Sequence, residues 1–248
     1  PITPSTEIVE ELDAMFADGQ HSIHLIPGDG EHGAAGICFG ATTAGARVFN
    51  ATSSQGLLFS LEQLPVQSST RLPMVLNLVC RAVSAPLNIR CDHSDLMMAL
   101  NAGWIILLAR DPQMAYDMNI IAVKIGEAKD VRLPVIVAFD GFFTSHQKRR
   151  VRYFSDRKTI EEFLGNPKPP YTSIDPENPV TFGPVMNDPD LINNKKQQSM
   201  AMEAAYNLLP KIFEEYYRIS GRRFDLIDAY RTEDAEAVMI LLNSAADT

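Results

Sequence analysis

Five short apolar runs, at residues 22–26, 47–51, 74–79, 104–109 and 135–139, recur along the first part of the chain between segments of helical periodicity. Uninterrupted apolar stretches of this length suit strands that are covered on both faces. Their alternation with helical patterns implies an α/β fold, a mainly parallel sheet with helices on both faces. The first helical pattern places Thr3 as the N-cap and Pro4 at the first helical position, with Ile8, Leu12 and Met15 on one face. A second starts at Asp111-Pro112, with Ala115, Met118, Ala122 and Ile125 as its buried stripe. Sheets of this kind bind ligands at the carboxyl ends of their strands. That rule brings three polar segments, 50–56, 80–86 and 140–146, to one rim.

The texture changes after Arg150. Residues 165–190 carry Pro167, Pro169, Pro170, Pro176, Pro179, Pro184 and Pro189 and read as an irregular proline-rich excursion. A long helical pattern over 194–219 follows, in which Pro210 is expected to kink or divide the helix. Residues 225–230 read as an exit segment, and 237–242 as a fresh strand turning into a new element. The expected organisation is a core domain at 1–150, an irregular and helical extension of it at 151–236, and the start of a following domain at 237–248. With Pro1 rather than Met in front, the chain reads as a domain cut from a longer polypeptide.

Composition narrows the class. The 248 residues are 46% hydrophobic and 21% charged, as in ordinary globular proteins. The formal net charge of −9 and the lack of a long basic stripe argue against nucleic acid as a partner. The basic cluster 147–152 reads as a solvated loop or a subunit contact. No apolar run is long enough to cross a bilayer, and no signal peptide is visible. Cys38, Cys80 and Cys91 show no paired spacing, so they suggest neither zinc nor an iron–sulfur cluster held by this chain. They read as small buried apolar residues, and their sparseness fits a reducing cytoplasm.

The chemistry-bearing stretch is Gly30-Glu31-His32-Gly33-Ala34-Ala35-Gly36, followed by Ala51-Thr52-Ser53-Ser54-Gln55-Gly56-Leu57-Leu58. Glu31 stands at the start of a helix among residues small enough to let a flat ring approach the backbone. A lone acid in such a niche is a candidate proton-transfer group. Taken alone, the same pattern equally describes packing with a favourable helix dipole. His93 and His146, near Asp92 and Asp95, lack metal-ligand spacing. Asp92-His93-Ser94-Asp95 reads as a helix start and loop contact that orders the loop carrying Arg81.

Taken in order, these segments resemble the N-terminal domain of pyruvate:ferredoxin oxidoreductase, or the alpha subunit of a related 2-oxoacid:acceptor oxidoreductase. The matching stretches are Pro1-Ile2-Thr3-Pro4-Ser5, Glu31-His32-Gly33-Ala34-Ala35-Gly36 and Ala51-Thr52-Ser53-Ser54-Gln55-Gly56-Leu57. They continue with Arg81-Ala82-Val83-Ser84-Ala85-Pro86, Asp92-His93-Ser94-Asp95, Ala102-Gly103-Trp104 and Asp140-Gly141-Phe142-Phe143-Thr144-Ser145-His146. Each is modest alone; the specificity lies in their order across residues 1–146.

The resemblance implies a thiamine-diphosphate-binding type of fold in which 1–150 is the pyrimidine-binding domain. It implies coenzyme-A-dependent oxidative decarboxylation of a 2-oxoacid, pyruvate above all, with electrons passed to ferredoxin or flavodoxin. Aryl, branched, 2-oxoglutarate and oxalate substrates stay open. It makes Glu31 the acid/base partner of the aminopyrimidine N1′, Arg81 a forked donor to the substrate carboxylate, and Thr3 a hydroxyl for the substrate's oxygens. Gly33, Ser54 and Gln55 join Glu31 as cofactor-binding positions. Mg²⁺ and iron–sulfur clusters are expected outside this segment, and no metal within it. Gly28-Asp29-Gly30 resembles the start of a thiamine diphosphate–Mg²⁺ fingerprint, but the next asparagine, Asn50, comes too soon. The implied partners are other domains or subunits of a cytoplasmic enzyme whose complete assembly is a homodimer. Two other readings are a non-catalytic structural subunit of the same fold and a non-oxidative thiamine enzyme.

Overall fold

The structure, a computed structural model, describes residues 2–247. The sheet has four strands: β1 (Phe49–Thr52), β2 (Val75–Cys80), β3 (Ile105–Ala109) and β4 (Val135–Asp140). All pairings are parallel, in the order β1-β2-β4-β3. Every residue of β4 is buried, which explains why this run reads as continuously apolar. The expected fold class is met, and four of the five expected strands form.

The fifth does not. Residues 22–26 form no strand, and Ile23 and Ile26 are exposed. A short β-rich run becomes a strand only where a neighbour takes up its backbone groups, and no ladder reaches this one.

Eight helices surround the sheet among the described residues: α1 (Thr6–Ala17), α2 (Glu31–Thr43), α3 (Ser54–Ser60), α4 (Gln63–Ser69), α5 (Ser94–Met98), α6 (Pro112–Gly126), α7 (Arg157–Leu164) and α8 (Asp190–Ser220). On one face, α6, α7 and α8 bury Met118, Ile121, Ile125, Phe163, Leu209 and Phe213 against Val79, Leu107, Val135 and Val137. On the other, Leu57, Leu64 and Leu96 of α3, α4 and α5 meet Leu76, Leu78, Ile136 and Ala138. The two sets of strand residues alternate along β2 and β4, as a pleated strand buried on both faces requires. Trp104 closes the second cluster, its indole N–H donating to the Leu64 carbonyl at 2.8 Å.

Local signals account for the helix ends with one correction. Asp111 caps α6 by accepting the Met114 amide at 2.8 Å, with Pro112 inside the first turn. The N-cap of α1 is Ser5, not Thr3, and Pro4 precedes the helix. Ile8, Leu12 and Met15 still share the half-buried face of α1. Pro210 neither divides nor ends α8, which runs unbroken from Asp190 to Ser220. The carbonyl that loses its helical donor belongs to Tyr206, which is 64% exposed, so water can replace the missing N–H.

Between α7 and α8, residues 165–189 contain no helix or strand. Asp117 of α6 lies beneath α8, fully buried, and accepts from Tyr216 Oη at 2.6 Å and from Arg222 Nε and Nη2 at 2.7 Å each. Residues 237–242 form no strand. A 3-10 helix, Asn243–Asp247, follows and folds back onto the end of β4. Among the described residues, no helix is long and apolar enough to cross a membrane.

Candidate active site

The carboxyl ends of β1, β2 and β4 are neighbours: Thr52 pairs with Leu78, and Cys80 with Asp140. The three polar segments expected on one rim therefore do converge there. The N-terminal segment joins them, because the bare face of Gly141 leaves room for Pro4. A Cβ on Gly141 would come within 2.7 Å of the proline ring and 2.6 Å of the Cys80 carbonyl.

Glu31 is the first residue of α2, after Gly30 as N-cap, and it is half-buried. Its side chain lies against Gly56 of α3. A Cβ there would come within 3.0 Å of Glu31 Cγ and Oε1, and 2.4 Å of Thr52 Oγ1. Gly56 is thus the bare wall against which a carboxylate and a hydroxyl both rest. Gly33 has a different neighbour, since a Cβ there would collide with Asp29 Oδ1. His32 of the same motif turns outward to Glu62 and Gln63.

Arg81, at the end of β2, is 6% exposed. Its Nη1 donates to the Thr3 carbonyl at 2.7 Å and its Nη2 to Gln55 Oε1 at 3.1 Å. Thr3, Gln55 and Arg81 are thereby brought together, and Ser54 joins them through its hydroxyl, 2.6 Å from Gln55 Oε1 and 2.7 Å from the Ala82 carbonyl. Thr3 itself is exposed, and its link to Arg81 runs through the backbone carbonyl rather than the hydroxyl. Pro1 of the same motif lies outside the described residues. Ser54 holds a left-handed backbone, φ 46°, while fully buried, a conformation that persists where its surroundings fix it. Asp95 of α5 accepts the Ser54 amide at 2.9 Å and the Arg81 amide at 3.0 Å.

Three buried polar atoms on this rim have no hydrogen-bond partner: Thr52 Oγ1, Ser53 Oγ and Arg81 Nε. Each would cost stability in a finished interior. Thr52 Oγ1 lies against Gly56 with Glu31, and a rim with such orphan atoms suits a site completed by a polar ligand. The donor set fits the pyrimidine half of thiamine diphosphate: an acid for a ring nitrogen, hydroxyls for exocyclic groups, and a glycine wall for a flat ring.

The neighbouring rim position is a hydrogen-bonded junction that the sequence reading did not find. Asp140, at the end of β4, accepts from His93 Nε2 at 3.0 Å, Asn243 Nδ2 at 2.9 Å, and the Ser244 amide and hydroxyl at 3.0 and 2.5 Å. Burial pushes the Asp140 carboxyl up, but the bonds from Ser244, Asn243 and His93 outweigh it and hold it below its ordinary range. Cys91 also lies here; burial, with the charge of Asp140 beside it, pushes its thiol well up. Cys91, His93 and Asp140 offer ligand atoms within 4.8 Å of one another. Both Asp140 oxygens are already engaged by protein donors. In the loop after β4, His146 stacks on Phe142 at 4.5 Å and reaches Glu7 at 3.2 Å. Cys38 and Cys80 are buried, as expected of all three cysteines, whereas Cys91 is only half-buried; burial pushes Cys38 up to about 11.

The family model described as pyruvate flavodoxin/ferredoxin oxidoreductase, thiamine diphosphate-binding, matches residues 1–214. The chain belongs to this family. Pyruvate synthase subunit PorA of Thermotoga maritima is 43% identical over the whole chain, which covers 63% of that relative. The PorA subunit of Methanocaldococcus jannaschii is 38% identical, with 64% of its length covered. Ketoisovalerate oxidoreductase subunit VorA of Pyrococcus horikoshii is 33% identical, with 62% covered. The chain thus spans less than two thirds of the length of each. Among solved structures, it is similar in fold to a 2-oxoglutarate:ferredoxin oxidoreductase from Magnetococcus marinus, with a TM-score of 0.63 and 19% identity. That match covers 84% of this chain and 41% of the other.

Proposed function

We propose that this chain supplies half of the active site of a thiamine diphosphate-dependent 2-oxoacid:ferredoxin oxidoreductase. Its reaction is the coenzyme-A-dependent oxidative decarboxylation of pyruvate to acetyl-CoA and CO₂, with electrons passed to ferredoxin or flavodoxin. The observation that carries this reading is the rim itself. An acid and an unpartnered hydroxyl rest against one bare face of Gly56, on the rim where buried Arg81 keeps an unpartnered Nε. Family membership supplies the context.

The chain's own residues divide the work. Glu31, seated on Gly56, would hold the proton at the aminopyrimidine N1′, and Thr52, Ser53, Ser54 and Gln55 would be the polar groups on hand for the ring. Thiamine diphosphate, when bound, supplies the carbon nucleophile and electron sink for the 2-oxo carbon. Arg81 takes the substrate carboxylate through the guanidinium N–H groups that its bonds to the Thr3 carbonyl and Gln55 leave over, and those two bonds hold it in place. The exposed Thr3 hydroxyl is left for the substrate's oxygens. The diphosphate, Mg²⁺ and the iron–sulfur clusters belong to another domain or subunit, in a cytoplasmic assembly that is a homodimer when complete.

The test is kinetic. In the complete enzyme, Arg81→Ala should lower kcat/KM for pyruvate and leave coenzyme A handling unchanged. If kcat/KM for pyruvate holds while assembly with neighbouring domains is lost, Arg81 is an interface residue and the reading fails.

A further inference from the structure

Asp95 is fully buried, and its two oxygens do different jobs. Oδ1 accepts the Leu96 amide at 2.8 Å, within its own helix start. Oδ2 serves two other segments, accepting the Ser54 amide at 2.9 Å and the Arg81 amide at 3.0 Å. The aspartates that cap α6 and α7, Asp111 and Asp156, accept backbone amides only from the helices they begin. Asp95 lies inside the first turn of α5, after its N-cap His93, and its local bond at Oδ1 leaves the two bonds at Oδ2 unexplained.

The bonds to Oδ2 close a ring. From Asp95 it runs to the Ser54 amide, through the Ser54 hydroxyl to Gln55 Oε1, on to Arg81 Nη2, and back through the Arg81 amide to Asp95. One oxygen thus fixes the spacing between the turn that carries Gln55 and the strand end that carries Arg81. Burial pushes the Asp95 carboxyl up, against the pull of its three amide donors.

We propose that Asp95 is a positioning residue for substrate: by gripping the Ser54 and Arg81 amides together, it aims the Arg81 guanidinium at the 2-oxoacid carboxylate. This rests on the reading of Arg81 given above. In the complete enzyme, Asp95→Asn turns an NH₂ group or a weaker acceptor toward two N–H donors. It should lower kcat/KM for pyruvate about 10- to 100-fold, the range usual for residues that orient a ligand-binding side chain. KM for coenzyme A should stay unchanged. Without any substrate, hydrogen exchange at the Ser54 and Arg81 amides should quicken.

The deciding measurement is a double-mutant cycle with Arg81→Ala. If Asp95 acts through Arg81, Asp95→Asn costs little more once Arg81 is gone. Full additivity of the two losses, or unchanged exchange at both amides, overturns the proposal. An unchanged kcat/KM for Arg81→Ala alone overturns the reading of Arg81, a separate result visible in the single variant. If Asp95→Asn does not accumulate as folded enzyme, Asp95→Glu carries the same cycle. It keeps the carboxyl group and moves the oxygens by one methylene, and additivity there overturns the proposal equally.

Discussion

The guanidinium of Arg81 donates to the backbone carbonyl of Thr3 across 2.7 Å, joining the end of β2 to the segment before α1. Because the acceptor is a main-chain oxygen, substitution at Thr3 does not remove it. The two residues should therefore respond very differently to mutation. Arg81→Lys should not rescue function, since a single ammonium cannot hold the Thr3 carbonyl and Gln55 while also engaging a carboxylate. The expected loss in kcat/KM for the 2-oxoacid is about 2–5 kcal/mol. Thr3→Val should cost less, because only a neutral hydrogen bond is lost. Steady-state kinetics on both variants, with coenzyme A varied separately, checks the ordering.

Gly56→Ala tests the glycine wall. The added methyl would fall 2.4 Å from Thr52 Oγ1 and 3.0 Å from Glu31, so one of them must move. Overpacking of this kind costs about 1–3 kcal/mol. Thermal unfolding should show that loss, and titration of the complete enzyme with thiamine diphosphate should show weakened binding. Wild-type cofactor affinity in Gly56→Ala would remove Gly56 from the site.

Much of the rim could be read from the sequence, and what was missed has physical reasons. Glu31 at a helix start was legible because glycine and alanine mark the spot where a backbone can be approached. The strands at 74–79 and 135–139 were legible because burial on both faces demands continuous apolar residues. Pairings between distant segments left no local trace. Nothing in residues 1–5 shows that the Thr3 carbonyl meets Arg81, and nothing in 237–248 shows that Asn243 and Ser244 return to Asp140. The run 22–26 has strand composition without a strand neighbour. Pro210 misled because its effect depends on whether the Tyr206 carbonyl faces water, which is a tertiary property.

The junction at Asp140 should make the contact of the 3-10 helix acid-sensitive. The Asp140 carboxyl is held below its ordinary range, so the unfolded chain binds the proton more readily than the folded one. The stabilisation is present above the unfolded value of about 4 and is lost as pH falls through the lower folded value. Acid unfolding followed by circular dichroism should show wild type losing stability as pH falls across that window. Asp140→Asn should be less stable at neutral pH and flatter across that window. An unchanged slope would remove Asp140 as the group responsible.

Arg222→Met tests the buried ion pair beneath α8. Asp117 is fully buried and takes two short bonds from Arg222, with a third from Tyr216. Removing the cation leaves an uncompensated charge, at a cost of about 3–5 kcal/mol. Replacing both residues, as in Asp117→Leu with Arg222→Met, should recover much of that. Chemical denaturation of the single and double variants makes the comparison.

The central claim is that Glu31 is the proton-transfer group of a thiamine site built on this rim. Glu31→Gln keeps the shape against Gly56 and removes the acid. Pyruvate-dependent reduction of ferredoxin by the complete Glu31→Gln enzyme, saturated with thiamine diphosphate, measures this directly. The account gives a turnover lower by about 10²–10⁴ with unchanged thermal stability. Turnover near wild type would contradict it.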